Sequence, residues 1–591
     1  MKAVSVSLPT WKATVGYEEG EDWVLSKMKT GYPRFFIHLT IQELQGEILR
    51  QYGGPGEATM LFPSRATARI CQHFICDKLD KVRPEDIRIT GLVPISRGTS
   101  SENQTSLSRL YCVFFPQEHF GTAKQVWQHS GSGISSRRGE FCLKALKDGL
   151  LVPEEVQISQ KDRCDPVSKG PRRYQQGGSL NGFDHASRKL INSPRESNNS
   201  DAREGKECSQ FVEERFGRNL NAELASKAKL AIRRRIAGCL ISDSDLDQAL
   251  DTPSSGPVER AKGITHNDVY LYPTGMNSIF NAHQILMASY GDSPKSVCFG
   301  FPYIDTLKVL QKWGAGCLFY GGGDEADLDD LERRLQHGER YLALFTEFPS
   351  NPLLSSPNLH RIRALADNYD FAVVVDETVG NFINLNVLTL ADIVVSSLTK
   401  IFSGDSNVMG GSLVVNPQSR RYSTLKQTLE TVYEDDYWAE DAVFMERNSR
   451  DFISRIERIN ETAEAIAEQL QQSPIVKQVY YPSHRESLKN YDACRNPRGG
   501  YGGLLSVTFQ EVEQAVAFFD ALLVQKGPSL GTNFTLSCPY TILAHYGELE
   551  WAARFGVEAD LIRISFGLED RLDLHRRVER ALEAAARAAT G

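Results

Sequence analysis

The pattern of apolar and polar positions changes character along this chain. Residues 1–155 mix short apolar stretches, such as Phe35-Phe36-Ile37 and Leu110-Tyr111-Cys112-Val113-Phe114-Phe115, with amphipathic ones, and read as a folded N-terminal extension domain. No catalytic constellation stands out there. His129 beside Ser130-Gly131, followed by Arg137-Arg138, reads as a structural histidine and a solvated basic turn. Residues 156–207 lose the apolar pattern, as in Lys169-Gly170-Pro171-Arg172-Arg173-Tyr174 and Ser193-Pro194-Arg195-Glu196-Ser197-Asn198. Too few apolar side chains remain to offset the entropy of ordering, which predicts a flexible polar linker. Its basic clusters are interleaved with acids and serines, the pattern of a solvated tether.

From 208 to 440, short apolar runs at 297–299, 342–345, 371–375, 393–395 and 413–415 alternate with helical periodicities. Leu328, Leu331 and Leu335 form one such stripe, and Leu359, Ile362 and Leu365 another. That alternation predicts an α/β domain: a mostly parallel sheet covered by helices on both faces. Within 441–591, a long amphipathic helix through Ile453, Ile456, Ile459, Ala463, Ile466 and Leu470 leads into a smaller α+β C-terminal domain. Two of its strands fall at 504–509 and 561–565.

The chain has 591 residues and a formal charge of −8, so no excess of Lys and Arg is available to neutralise phosphates. This argues against a nucleic-acid or membrane-surface role. Its 11 cysteines are scattered, and the nearest pair, Cys71 and Cys76, lacks zinc-knuckle spacing. Free thiols and no metal site are expected. No apolar run approaches the roughly 20 residues of a membrane span, and the opening Met1-Lys2-Ala3-Val4-Ser5 is no signal core, so a cytoplasmic location is expected.

Candidate chemistry gathers at the ends of apolar runs. Ile393-Val394-Val395-Ser396-Ser397-Leu398-Thr399-Lys400 is a short strand ending in hydroxyls and a lysine, followed by the glycine-rich 402–411 loop. A strand-end amine can condense with a carbonyl, and Ser397 and Thr399 can donate to a phosphate. Phe371-Ala372-Val373-Val374-Val375-Asp376 is a second run capped by an acid. Tyr272-Pro273-Thr274-Gly275-Met276-Asn277-Ser278 opens a helix whose first N–H groups suit an anion.

Together with Glu347-Phe348-Pro349-Ser350-Asn351-Pro352 and Arg563-Ile564-Ser565-Phe566-Gly567, these motifs closely resemble the Cys/Met-metabolism family of pyridoxal-phosphate (PLP) enzymes. Within it, the Lys400 loop and Ser529-Leu530-Gly531-Thr532-Asn533 are most similar to the fungal cystathionine γ-synthase branch. The resemblance runs from about residue 208 to the C-terminus, and residues 1–155 resemble the extension found in that branch. It implies an aspartate-aminotransferase-like (fold type I) large domain.

It also implies roles. Lys400 matches the Schiff-base lysine, Asp376 the acid facing the pyridine nitrogen, and Tyr303 the tyrosine stacked on the ring. Gly275, Met276, Ser397 and Thr399 match phosphate ligands, and Asn351 the asparagine near the ring hydroxyl. Arg563 matches the arginine that clamps the substrate carboxylate, with Ser529 also at the substrate. Arg218 matches the arginine that reaches the neighbouring subunit's phosphate, so a homo-oligomer (dimer or tetramer) with shared sites is implied.

The chain departs from the family pattern at four positions. Phe216 replaces a tyrosine, Glu377 an asparagine, Ile401 an aromatic residue, and Pro528 a glutamate carried by several lyases. The implied activity is γ-replacement on an O-acylhomoserine by cysteine, giving cystathionine. The alternatives are γ-substitution by sulfide or a carbon or nitrogen nucleophile, a γ-lyase, and a non-catalytic regulatory homologue. Intact Lys400, Asp376, Tyr303 and Arg563 argue against the last.

Overall fold

Three β-sheets organise the described residues. The structure is a computed structural model that describes residues 6–588 apart from 29–30, 34, 80–81, 95–108, 156–221, 240–241 and 252–259. The linker read at 156–207 and the Phe216/Arg218 motif lie outside the described residues.

The first sheet holds β1 (Glu57–Phe62), β2 (Arg88–Pro94), β3 (Leu110–Pro116) and β4 (Leu151–Pro153). Its order is β1-β3-β2-β4, antiparallel throughout. The inner strand β3 is buried from Leu110 to Phe115, which accounts for its unbroken apolar run. Helices Leu39–Tyr52, Arg65–Lys78, Phe120–Ser130 and Ser136–Lys147 complete this core, with Ile41, Leu44, Phe74, Val126 and Leu143 buried in it.

The second sheet contains β5 (Val269–Tyr272), β6 (Ser296–Phe299), β7 (Cys317–Tyr320), β8 (Ala343–Glu347), β9 (Ala372–Asp376), β10 (Ile393–Ser396) and β11 (Gly411–Val415). The order is β5-β11-β10-β9-β8-β6-β7, and only β11 runs against the rest. Strands β8, β9 and β10 are apolar almost throughout because apolar clusters lie on both faces. Parallel pairing makes them end together: Glu347 lies opposite Asp376, and Asp376 opposite Val395. Ligands in such sheets collect at those carboxyl ends.

The 20-residue helix Phe452–Gln471 leads to the third sheet. Its strands are β12 (Val476–Tyr480), β13 (Leu504–Phe509), β14 (Gln525–Lys526), β15 (Leu536–Pro539) and β16 (Ile562–Ser565), in the order β12-β13-β16-β15-β14. On β16 the pleat sends Ile562 and Ile564 into the apolar core, and Arg563 and Ser565 to the opposite face.

The N-terminal domain is seated on the large domain by buried polar contacts. Arg137 pairs with Asp441 at 2.9 Å and donates to the Asn407 carbonyl at 2.8 Å. Arg138 is anchored inside its own domain by the carbonyls of Pro63 and Arg109, and its guanidinium lies 5.4 Å from the centre of the Trp438 ring of the large domain. The arginine pair expected to be solvated is therefore buried, because a second domain covers it. Phe74 stacks on Trp313, ring centroids 4.4 Å apart. Breaking a buried ion pair from one side costs about 3–5 kcal/mol. Arg137→Ala should lower the thermal transition of the full chain, and Arg137→Met with Asp441→Leu should recover part of the loss, both read by scanning calorimetry.

Candidate active site

A cavity of about 220 Å³ opens over the ends of β8, β9 and β10, lined by parts of all three sheet units. Lys400, Tyr303, Asp376, Gly275, Met276, Ser397, Thr399, Asn351 and Arg563 all line it. Ser529 reaches it through Lys400, whose Nζ donates to Ser529 Oγ at 3.1 Å.

The phosphate-type end begins with a backbone contact. Thr274 caps helix Gly275–Tyr290, its hydroxyl accepting from Asn277 N at 3.1 Å. A side chain at Gly275 would put its Cβ 2.5 Å from Ser397 Cβ, so glycine lets the helix start touch the strand end. The first N–H groups of a helix have no intrahelical acceptor, and the helix dipole is positive there. Thr399 Oγ1 accepts from Gly410 N at 3.1 Å and donates to Gly410 O at 3.3 Å, tying the two ends of the lysine loop.

Two carboxyls sit side by side on the floor. Burial raises Asp376, which accepts from Thr378 N at 2.9 Å. Burial, and then the Asp376 charge, push Glu347 up to about 8, although it accepts from Tyr303 N at 2.6 Å and Asn351 N at 3.1 Å. A neutral Glu347 removes a like charge from beside Asp376, which favours the Asp376 anion, the state that can pair with a pyridinium. Glu347 was quoted in a motif but assigned no role from sequence; its register opposite Asp376 is the signal that finds it.

Asn351 does not stand alone. Its Oδ1 accepts from Arg563 Nη1 at 3.0 Å, while Arg563 Nη2 donates to the carbonyls of Pro528 at 2.7 Å and Ser529 at 3.0 Å. Arg563 is buried, and its hydrogen bonds go to an amide oxygen and two backbone carbonyls. A buried cation held by neutral acceptors suits an incoming carboxylate.

The unusual Glu377 has a physical account. Arg260 Nη2 donates to both of its carboxylate oxygens at 2.7 Å, Nη1 donates to the Ile236 carbonyl, and the guanidinium lies over Phe382. The N-terminal domain contributes what the sequence reading missed. Tyr32, Trp127, Gly131, Ser135 and Arg137 line the same cavity. Thr274 donates to the Gly131 carbonyl at 2.9 Å, and Asn277 Nδ2 to Ser130 O and Ser132 Oγ. His129 is buried with its ring 4.0 Å from Asp305.

The model for "Cys/Met metabolism PLP-dependent enzyme" matches residues 262–583, more than half of the chain. The chain belongs to that family. The "Fungal trans-sulfuration enzyme, N-terminal domain" model matches residues 40–135. A cystathionine gamma-synthase of Neurospora crassa is 50% identical, covering 99% of this chain and 96% of the relative. The cystathionine gamma-synthase of Saccharomyces cerevisiae is 38% identical over 99% and 97%. The cystathionine gamma-synthase-like enzyme iboG2 of Amanita muscaria is 43% identical over 99% and 95%.

As a member of this PLP-dependent enzyme family, the chain needs a phosphate cradle, an acid and an amine in one cavity. The side-chain-free contact of Gly275 with Ser397, Asp376 on the floor and the Lys400 amine fit that cofactor. Among the described residues, no group of His, Cys, Asp and Glu is arranged to hold a metal ion. The nine described cysteines are free thiols.

Glu347 gives a pH test on the apoprotein. Its folded-state value lies above the ordinary carboxylate range, so the folded chain binds the extra proton between about pH 4.5 and 8. Stability from this group is full below that window and is lost as pH rises through it. Glu347→Gln cannot ionise, so the decline in apoprotein melting temperature from pH 5 to 8.5 should be shallower than in the parent. An unchanged slope would rule out a neutral Glu347.

Proposed function

We propose that this chain is a cystathionine γ-synthase, replacing the acyl group of an O-acylhomoserine with the sulfur of cysteine. The observation that carries the synthetic direction is the charge of the cavity wall. Pro528, which offers neither charge nor N–H, lines it where several lyases carry a glutamate. Among the described lining residues the acids are Glu347, Asp376 and Asp441. Asp441 is paired with Arg137, Glu347 is held neutral, and Asp376 is assigned to the cofactor ring. A wall with no free acid gives the distal ammonium of cystathionine no charged partner, which favours its release as a product over its retention as a substrate, while a neutral acyl ester enters without that cost. The Neurospora crassa and yeast relatives support the same reading through their names.

PLP, when bound, supplies the electron sink that acidifies the Cα and Cβ protons of the substrate. Lys400 would hold the cofactor covalently, and its freed amine would take and return the Cα proton. Asp376 would pair with the pyridine nitrogen, and Tyr303 would pack against the ring. Gly275, Met276, Ser397 and Thr399 would hold the phosphate. Arg563 takes the α-carboxylate, steered by Asn351 and by the Ser529 and Pro528 carbonyls. The Cβ proton is removed, the Cγ–O bond breaks and the acyl group leaves as a carboxylate; the cysteine S–H bond breaks with release of its proton, the sulfur bonds to Cγ, and Cβ is reprotonated. Arg218, outside the described residues, serves the neighbouring subunit's phosphate in a dimer or tetramer. The enzyme works in the cytoplasm; among the described residues no helix is long and apolar enough to cross a membrane.

Initial rates with O-acetylhomoserine plus cysteine should exceed those with cystathionine alone at matched concentrations, and cysteine should outcompete sulfide. Faster cleavage of cystathionine would make this a γ-lyase. Arg563→Lys loses the fork that holds a carboxylate at two points, so the KM for the acylhomoserine should rise about 10- to 100-fold. Steady-state kinetics on the loaded protein check this.

A further inference from the structure

The N-terminal domain reaches the reacting amine. Lys400 Nζ donates to Tyr32 Oη at 3.0 Å and lies 5.3 Å from the centre of the Tyr32 ring. Ser529 Oγ accepts from the same nitrogen at 3.1 Å. Tyr32 is 368 residues from Lys400 and belongs to a part of the chain with no assigned role.

Its placement is built into the domain. Phe35 N and Phe36 N both donate to the Tyr32 carbonyl, at 2.9 and 3.0 Å, closing a tight turn. Gly31 permits that turn, because a Cβ there would sit 2.4 Å from Phe36 Cβ. The next helix, Leu39–Tyr52, is capped by the His38 ring and anchored through Ile41, Leu44 and Ile48 in the N-terminal core. The turn is thus held by a folded domain, and that domain is bolted to the large one by Arg137 and Asp441.

We propose that Tyr32 is a functional hydrogen-bond partner of Lys400, and that the N-terminal domain thereby completes the active site within its own chain. This rests on Lys400 being the cofactor-binding lysine of the reading above. When Lys400 takes the substrate Cα proton, the Cα–H bond breaks and the new N–H bond leaves a positive charge on Nζ. Tyr32 Oη and Ser529 Oγ are in place to accept from that ammonium. A hydroxyl with both a donor and an acceptor serves the amine before and after the transfer.

The test compares Tyr32→Phe, which keeps the ring, with Tyr32→Leu, which removes it, in the full-length protein. Two readouts are independent of the nucleophile and product. One is the rate at which the apoprotein captures PLP, followed by the visible band that borohydride removes. The other is α-proton exchange of L-alanine in D2O by the loaded protein, followed by NMR. For Tyr32→Phe, capture should slow several-fold, and exchange should fall about 10- to 100-fold, the scale of one hydrogen bond to a charged group. The thermal transition should stay that of the parent. Rates within twofold of the parent for Tyr32→Phe, with Tyr32→Leu impaired, would show that the ring only packs and would overturn the proposal. A parent that exchanges alanine yet forms no cystathionine would overturn the synthase reading while leaving the Tyr32 test readable.

Discussion

The site depends on one backbone contact, the start of helix Gly275–Tyr290 pressed against the end of β10. Ser397 and Gly275 approach so closely that no Cβ fits between them. The same packing recurs one layer away, where a Cβ at Gly411 would meet the Thr274 carbonyl at 2.2 Å. These contacts fix the helix relative to the strand that carries Lys400. The positive end of a helix and an amine are thereby delivered to one cavity without any side chain having to hold them there. At Gly531 a Cβ would lie 2.5 Å from Ile401 N, so the C-terminal domain closes on the lysine loop in the same way. Its positive φ of 65° independently favours glycine.

Around that frame stand two adjacent buried carboxyls on the floor and one buried cation on the wall. Neighbouring parallel strands bring Asp376 and Glu347 together, and two adjacent buried carboxylates repel when both ionise. Glu347 therefore takes the proton and acts as a neutral acceptor for the backbone of Tyr303 and Asn351. Both residues line the cavity, so one carboxyl orders two parts of its wall. Arg563 is the complement, a buried cation held in line by an amide oxygen and two carbonyls. Glu377 shows that a further buried acid beside Asp376 is compatible with the site when Arg260 neutralises it directly.

The large domain was legible because its signals are local. Apolar runs of three to five residues between helical stripes state an α/β sheet, and the residues at their ends are the ones that meet in space. Lys400, Asp376 and Gly275 could be picked out on that ground, and the family resemblance added Tyr303, Asn351 and Arg563. What stayed hidden were relations between distant segments. Nothing near Glu377 points to Arg260, 117 residues earlier, and nothing near Lys400 points to Tyr32. The Arg137-Arg138 pair read as solvated because a charge run usually is; only docking against Asp441 and the 407 loop reverses that reading.

The same docking alters what the N-terminal domain is for. Its Gly131 carbonyl accepts from Thr274, the cap of the helix whose start lines the cavity. Its Ser130 and Ser132 hold Asn277 in the first turn. A Cβ on Gly131 would collide with the Thr274 hydroxyl at 2.4 Å, so the two loops have no slack between them. Removing the extension would leave a buried helix cap without its acceptor, an amide without its partners, and Asp441 as a buried acid without Arg137. Two of these losses, at Thr274 and Asp441, fall on the lining of one cavity, and the third lies in the first turn of the helix that begins there. The extension is therefore part of the fold of the active site, and its stability and that of the site are one quantity.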